Sequence, residues 1–267
     1  MPKWLTEIRG RVPLGAAIAL GVVPIVVMAG LWFWLTSGPV EERHVSPTIL
    51  PSPAEVARSV PDLLKRDLWL NTWASLKRVS LGFLIGIAVA VPIGIFMGSF
   101  GSARAVFNPV MTASGYIPIA TLVPLTMSWW GTDEKQKILF LAMAFGIYLL
   151  PLTVKAIDGV SEVYLRTAYT LGATKWQAIR RVLVPIALPD IWHGMRLAFG
   201  VGWTYLVLTE ALVIVDGLGA LVQMSQRRGP REHIYLVIVV ITIVAWVFDL
   251  VWERIGQVLF PYKRRPA

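Results

Sequence analysis

Side chains able to do chemistry are few in this chain and lie far apart. There is no cysteine, which removes disulfides, thiolate nucleophiles and cysteine metal sites. The three histidines, His44, His193 and His233, stand at no ligand spacing, so no metal site is expected. The chain has no G-x-x-x-x-G-K-[ST] loop to cradle phosphates, no H-E-x-x-H, no G-x-S-x-G and no paired-carboxylate cluster. No catalytic residue is therefore expected, and any ATP and Mg that drive the protein must be held by another chain. One carboxylate stands out. Glu210 falls inside an apolar run, where a charge costs roughly 2.5 to 3.5 kcal/mol, so it should meet protein or water and hydrogen-bond a neighbouring span. The competing reading is that it reaches solvent beside Asp216.

The other legible feature is the polar, basic stretch 161–189, SEVYLRTAYTLGATKWQAIRRVLVPIALP, set between apolar blocks. Tyr164, Ala168 and Leu171 share a helical face, and Gly172 supplies the left-handed residue that ends a helix. Thr174 with Gln177 three residues on forms a capping box that restarts a helix. Its apolar stripe is Trp176, Ile179 and Leu183, and Pro185 should bend or close it. The pattern reads as a helical hairpin, suited to docking or to lying on a lipid surface.

These elements sit in a membrane protein. Of 267 residues 56% are hydrophobic and 15% charged, and the mean hydropathy of +0.64 is far above that of a soluble domain. The net charge of +9 gathers at the edges of apolar spans, where anionic headgroups account for it, and no nucleic-acid partner is implied. The all-α expectation is six spans, near residues 13–35, 79–100, 105–130, 138–153, 191–215 and 233–252. The basic residues Lys3, Arg9 and Arg11 before the first span and Lys263, Arg264 and Arg265 after the last place both termini in the cytoplasm. Residues 1–72 read as an N-terminal transmembrane helix with an external amphipathic segment that Ser52 and Pro53 open, and 73–267 as the core. Span two carries Gly82, Gly86, Ala90, Gly94 and Gly98 at four-residue intervals, and span five repeats the device at Gly194, Ala198 and Gly202, so each presents a small-residue groove to a partner helix. Pro109, Pro118 and Pro124 make span three irregular.

Ala168, Gly172, Val182, Val184 and Pro185 reproduce the pattern small-x-x-x-Gly, nine residues, apolar-x-apolar-Pro. It resembles the EAA loop of binding-protein-dependent ABC importer permeases, with Arg166 and Thr167 in place of the family's Glu and first Ala. Leu50, Pro51, Ser52, Pro53, Glu55 and Val56, followed by Ser75, Leu76, Arg78, Gly82 and Phe83, are similar to the opening signature of the family's sulfonate, taurine and nitrate branch. Pro124, Leu125, Trp129, Gly131, Glu134 and Lys137 match a further family pattern.

The resemblance implies the type I (MetI-like) permease fold. It also implies a homodimer, a dimer of separate ATPase subunits that carry ATP and Mg, an extracytoplasmic binding protein, and a place in the bacterial inner membrane. The residues it assigns to ATPase coupling are Arg166, Thr167, Ala168, Leu171, Gly172, Ala173, Trp176, Val182 and Pro185. Trp129, Trp203 and Glu210 are expected on the translocation pathway, and a small anion such as a sulfonate, taurine or nitrate is the expected cargo. The alternatives are an ion-coupled secondary transporter, for which Glu210 is almost alone and no repeat is visible, and a structural membrane subunit.

Overall fold

A computed structural model describes Gly10, residues 12–213 and residues 215–263, and the ordered elements within them are helices. The basic residues expected to anchor the termini, Lys3, Arg9, Arg11, Arg264 and Arg265, lie outside the described residues. Helix α1 (Leu14–Leu35) runs on through Pro24 and buries none of its residues. It is tied to the segment that follows it by Trp32, whose indole N–H donates to the Pro51 carbonyl at 2.9 Å. That segment folds as its capping residues require. Ser52 and Glu55 close a capping box on α2 (Pro53–Arg58), with Pro53 in the first turn. The Glu55 carboxylate accepts from the Ser52 backbone N–H and pairs with Arg43 at 2.9 Å, which together hold it below the usual carboxylate range. A second short helix, α3 (Val60–Lys65), leads into the core.

The core is built on the small-residue groove. Helix α4 (Leu68–Ser99) lies along α7 (Glu134–Asp158). A Cβ on Gly82, Gly86, Gly94 or Gly98 would meet Leu141, Phe145, Thr153 or Ile157 at 2.6–2.7 Å from the partner's Cβ. Partner numbers rise together, so the two helices point the same way. The close approach is available only to glycine, and it supplies the van der Waals contact that lipid cannot replace. Gly86→Leu should therefore wedge α4 from Phe145 and destabilise the fold by about 1–3 kcal/mol. A lowered melting temperature of the purified protein would show it; an unchanged one would mean that the helices are not this close.

Two parallel helices need a return path between them, and 100–133 provides it in broken form. In place of one span over 105–130 there are two helices, α5 (Gly101–Ser114) and α6 (Leu122–Trp130), bent by 84° at the break over residues 115–118, after which a short 3₁₀ turn at Ile119–Thr121 leads into α6. Of the three prolines only Pro118 marks the break, because its ring pushes the preceding residue out of the helical region. Pro124 falls in the first turn of α6, where no intrahelical N–H is lost.

Among the described residues four helices are long and apolar enough to cross a membrane: α1, α4, α7 and α12 (Glu232–Leu259). The bent pair makes a fifth candidate. The expected fifth span, 191–215, falls on α10 (Val184–Leu212) and overruns its end by three residues; the 29 residues of α10 reach about 43 Å, but Asp190, His193, Arg196 and Glu210 dilute its apolar character. It is kept in place by packing. Gly202 lies so close to the Phe145 ring that a Cβ would overlap it, and Ala198 is buried. Arg196 pairs with Asp249 of α12 at 2.5 Å, and Trp192 stacks on Trp252 with ring centroids 4.4 Å apart. Helix α11 (Leu218–Arg228) closes the end of α10.

Candidate functional site

The hairpin forms at the end of α7. Ser161 caps α8 (Glu162–Thr170) by accepting from the Val163 N–H. The helix ends as Gly172 adopts φ +82, with its N–H on the Tyr169 carbonyl at 2.9 Å and the Ala173 N–H on the Ala168 carbonyl at 3.0 Å. Those two bonds define a Schellman motif, which satisfies carbonyls that a helix end otherwise leaves bare. Thr174 and Gln177 then cap α9 (Lys175–Ala178) reciprocally, at 2.9 and 3.3 Å.

Pro185 does not close this second helix. A five-residue π turn, Ile179–Leu183, joins α9 to α10, and Pro185 sits in the first turn of α10. The wider turn gives the proline ring the room that an α-helix would deny it. The hairpin is thus continuous with a core helix.

Its two stripes divide between inside and outside. Ala168, Ile179 and Leu183 are buried, the latter two in a cluster with Ala156, Ile157, Val160 and Ala187. Leu171 and Trp176, by contrast, are 82% and 65% exposed, and Tyr164 and Tyr169 are exposed beside them. Such a grouped apolar surface is what a partner protein covers. Arg166 pairs with Glu162 at 2.7 Å along α8, and Thr167 donates to the Val163 carbonyl. Ala173 and Val182 are half-buried, and Pro185 is exposed. Between the hairpin and the ends of α4 and α7 lies a cavity of about 440 Å³, lined by Ser99, Asp158, Glu162, Tyr169 and Lys175 among others.

At the opposite end of the core lies the arrangement least visible in the sequence. Glu210 is fully buried and does not reach solvent. It accepts from Ser75 Oγ at 2.8 Å, from Arg78 Nη1 at 2.7 Å and from the Gly219 N–H at 2.9 Å. Arg78, also buried, donates Nε to Glu134 at 2.7 Å and reaches both Glu134 and Asp216 through Nη2. Lys137 is buried within 3.5 Å of Glu134 and 3.9 Å of Asp216. Asn71 and Ser75 then bind the backbone N–H groups of Gly217 and Leu218. Gly217, at φ +107, presses so closely on the Glu210 carboxylate that a Cβ would overlap it. Five charged groups from α4, α7, α10 and the loop after α10 thus tie one end of the core together.

The expected hydrogen bond from Glu210 to a neighbouring span is present, and its direct escape to solvent is excluded. Of the other residues expected on the translocation pathway, Trp129 is exposed with its ring edge-on to Trp130, whereas Trp203 is buried against Phe199, two turns before Glu210 on α10. Sequence reading missed Arg78 and Lys137. Both stand in the family-like motifs, and a buried acid in a span calls for a base. Among the described residues no group of histidine and carboxylate side chains could hold a metal ion.

The family described as "Binding-protein-dependent transport system inner membrane component" matches residues 90–265. The chain belongs to that family. This permease is 28% identical over 262 residues to the taurine transport system permease protein TauC of Escherichia coli, covering 96% of this chain and 94% of that protein. It is 30% identical to the riboflavin transport system permease protein RibX of Chloroflexus aurantiacus, with 89% of each chain covered. Its fold is similar to the MetNI methionine ABC transporter at a TM-score of 0.64 and 18% identity, covering 72% of this chain and 95% of that one. The permease is therefore an all-α transport component of the MetI-like fold and not an enzyme. An ion-coupled secondary transporter is set aside.

Proposed function

We propose that this permease forms the transmembrane path of an ATP-driven importer for a small anionic solute, with taurine or a related sulfonate as the leading candidate. One observation carries the reading of mechanism: an apolar, exposed hairpin tip that is continuous, through the π turn, with a helix crossing the core. Leu171 and Trp176 enter a groove on a separate ATPase, which holds ATP and Mg. Arg166, Thr167 and Ala168 set the first helix of that contact, and Val182 and Pro185 pass its movement to α10.

Two permease copies and two ATPases suit a chain of this kind, since two-fold closure buries one self-complementary face twice. A soluble binding protein delivers cargo at the outer end, where Glu210 and its partners lie. The broken α5–α6 pair and α10 complete six crossings, because parallel α4 and α7 require a return between them. Both termini then face the cytoplasm. ATP-driven closure of the ATPases moves the hairpins together and rocks the core between inward-open and outward-open states.

Taurine names the cargo of a relative similar over nearly the full length. Growth of a deletion strain on single sulfur and nitrogen sources tests the assignment. Loss of growth on taurine or another sulfonate is the expected result. Normal uptake of every such anion, or loss confined to a neutral solute such as riboflavin, would overturn it.

A further inference from the structure

Two tyrosines meet deep in the span without belonging to either site above. The Tyr148 hydroxyl of α7 and the Tyr205 hydroxyl of α10 lie 3.0 Å apart, with ring centroids 6.2 Å apart. Their depth follows from the crossing of the two helices, where Gly202 meets Phe145 and Gly194 meets Leu152. Tyr148 falls between those two contacts on α7, and Tyr205 lies within one turn of Gly202 on α10. Neither ring is enclosed: Tyr148 is exposed, Tyr205 half-buried, and Thr204 beside it exposed. Gly146 and Gly200, on the same two helices, have open space where a Cβ would stand.

Hydrogen-bond capacity decides what this face meets. One hydroxyl of the pair donates to the other, and the acceptor's own O–H has no further partner among the described residues. Facing hydrocarbon, that free donor would stand unsatisfied, at a cost of about 1–3 kcal/mol by protein mutational measures. Facing water or a passing oxyanion, it is satisfied. Polar groups at this depth belong on the protein interior or on an aqueous path, and these are not interior.

We propose that Tyr148 and Tyr205 line the translocation path and that their spare O–H donates to an oxygen of the anion as it passes. The inference rests on the transport reading above and adds the residues that the cargo touches. The complete absence of cysteine makes the test clean. Single Tyr148→Cys, Tyr205→Cys and Thr204→Cys variants of the assembled transporter in membrane vesicles are labelled with the anionic reagent 2-sulfonatoethyl methanethiosulfonate. Val26→Cys on α1, a helix that buries none of its residues, is the lipid-facing control. Labelling more than tenfold faster than Val26→Cys is expected at all three positions, and labelling as slow as that control at Tyr148 and Tyr205 would overturn the proposal.

Tyr148→Phe and Tyr205→Phe keep the packing and remove the donors. Each single variant leaves the other tyrosine's O–H free to donate and should lower taurine uptake no more than about threefold, whereas the double variant has no donor and should lower it about tenfold, with membrane level and bound ATPase unchanged. Fast labelling with normal uptake in the double Phe variant would refute the hydrogen-bonding role. If the unaltered transporter does not carry taurine, the cargo assignment fails, and the labelling alone decides whether the pair lines the path.

Discussion

Gly172→Asp leaves the permease in the membrane at its normal level and strips it of its ATPase. The φ of +82 is the left-handed conformation, which costs a residue with a Cβ roughly 1 to 2 kcal/mol and glycine almost nothing. Nothing lies within 4 Å of a Cβ built there, so the effect is not a clash within the chain. Aspartate tolerates this conformation better than most residues, and the larger part of the loss comes from its charge. It stands between Leu171 and Trp176, the most exposed large apolar groups of the turn, and a carboxylate carried into an apolar groove must shed its water. The membrane-embedded helices and their contacts are untouched. Co-purified ATPase should fall more than tenfold, with transport lost. Gly172→Ala, which adds strain without charge, should fall between the two. A full complement of ATPase on the Asp variant, with substrate-stimulated hydrolysis intact, would show that the hairpin is a surface element and not the docking site.

The second large effect is an asymmetry at the other end of the core. Arg78 contacts three carboxylates, Glu134, Glu210 and Asp216, and Lys137 contacts two of them. Removing Glu210 leaves two cations facing two anions. Removing Arg78 leaves three anions with a single cation, and Glu210 without a charged partner. Breaking a buried pair by removing one member destabilises by about 3–5 kcal/mol when the other charge stays buried. Arg78→Leu should therefore reach the membrane poorly or melt far below the parent. Glu210→Gln keeps an acceptor for Ser75 and for the Gly219 N–H, so it should fold and be altered chiefly in transport. Thermal melts of the two purified variants decide the matter. If Glu210→Gln proves the less stable, the cluster is not organised around Arg78. Normal transport by Glu210→Leu would remove this carboxylate from the transport cycle altogether.

Local geometry was legible in the residues, and distant pairing was not. Glycines at four-residue intervals imply one narrow face whatever helix they meet, and the α4–α7 contact bears that out. The hairpin could be read because its stop and start signals, Gly172 and the Thr174–Gln177 box, act within a few residues of themselves. Prolines were only half informative. Three of them marked 105–130 as irregular, but which one breaks the chain depends on its position in a turn, and only Pro118 does so. Of the two outcomes open at Pro185, bending or closing the helix, closure is excluded, since a π turn just before it absorbs the ring and lets the helix continue. The Arg78–Glu210 pair joins residues 132 apart in sequence. No periodicity reports such a contact. Burial was no more legible for single aromatic residues: packing leaves Trp129 exposed and buries Trp203.

The join between α9 and α10 also bears on timing. Trp176 stands near one end of a helical run that reaches Leu212, two residues beyond Glu210, and that continues through the π turn and Pro189. A rod transmits displacement without the delay of a slack joint. Force arriving at Trp176 would load the bonds from Glu210 to Ser75 and Arg78 in the same movement, so the hairpin end and the Glu210 end change together. A long-lived state with the hairpins drawn in and the Glu210 cluster undisturbed has no place in such a machine, and spin labels at the exposed positions Lys175 and Val215 should report one relaxation rate, not two.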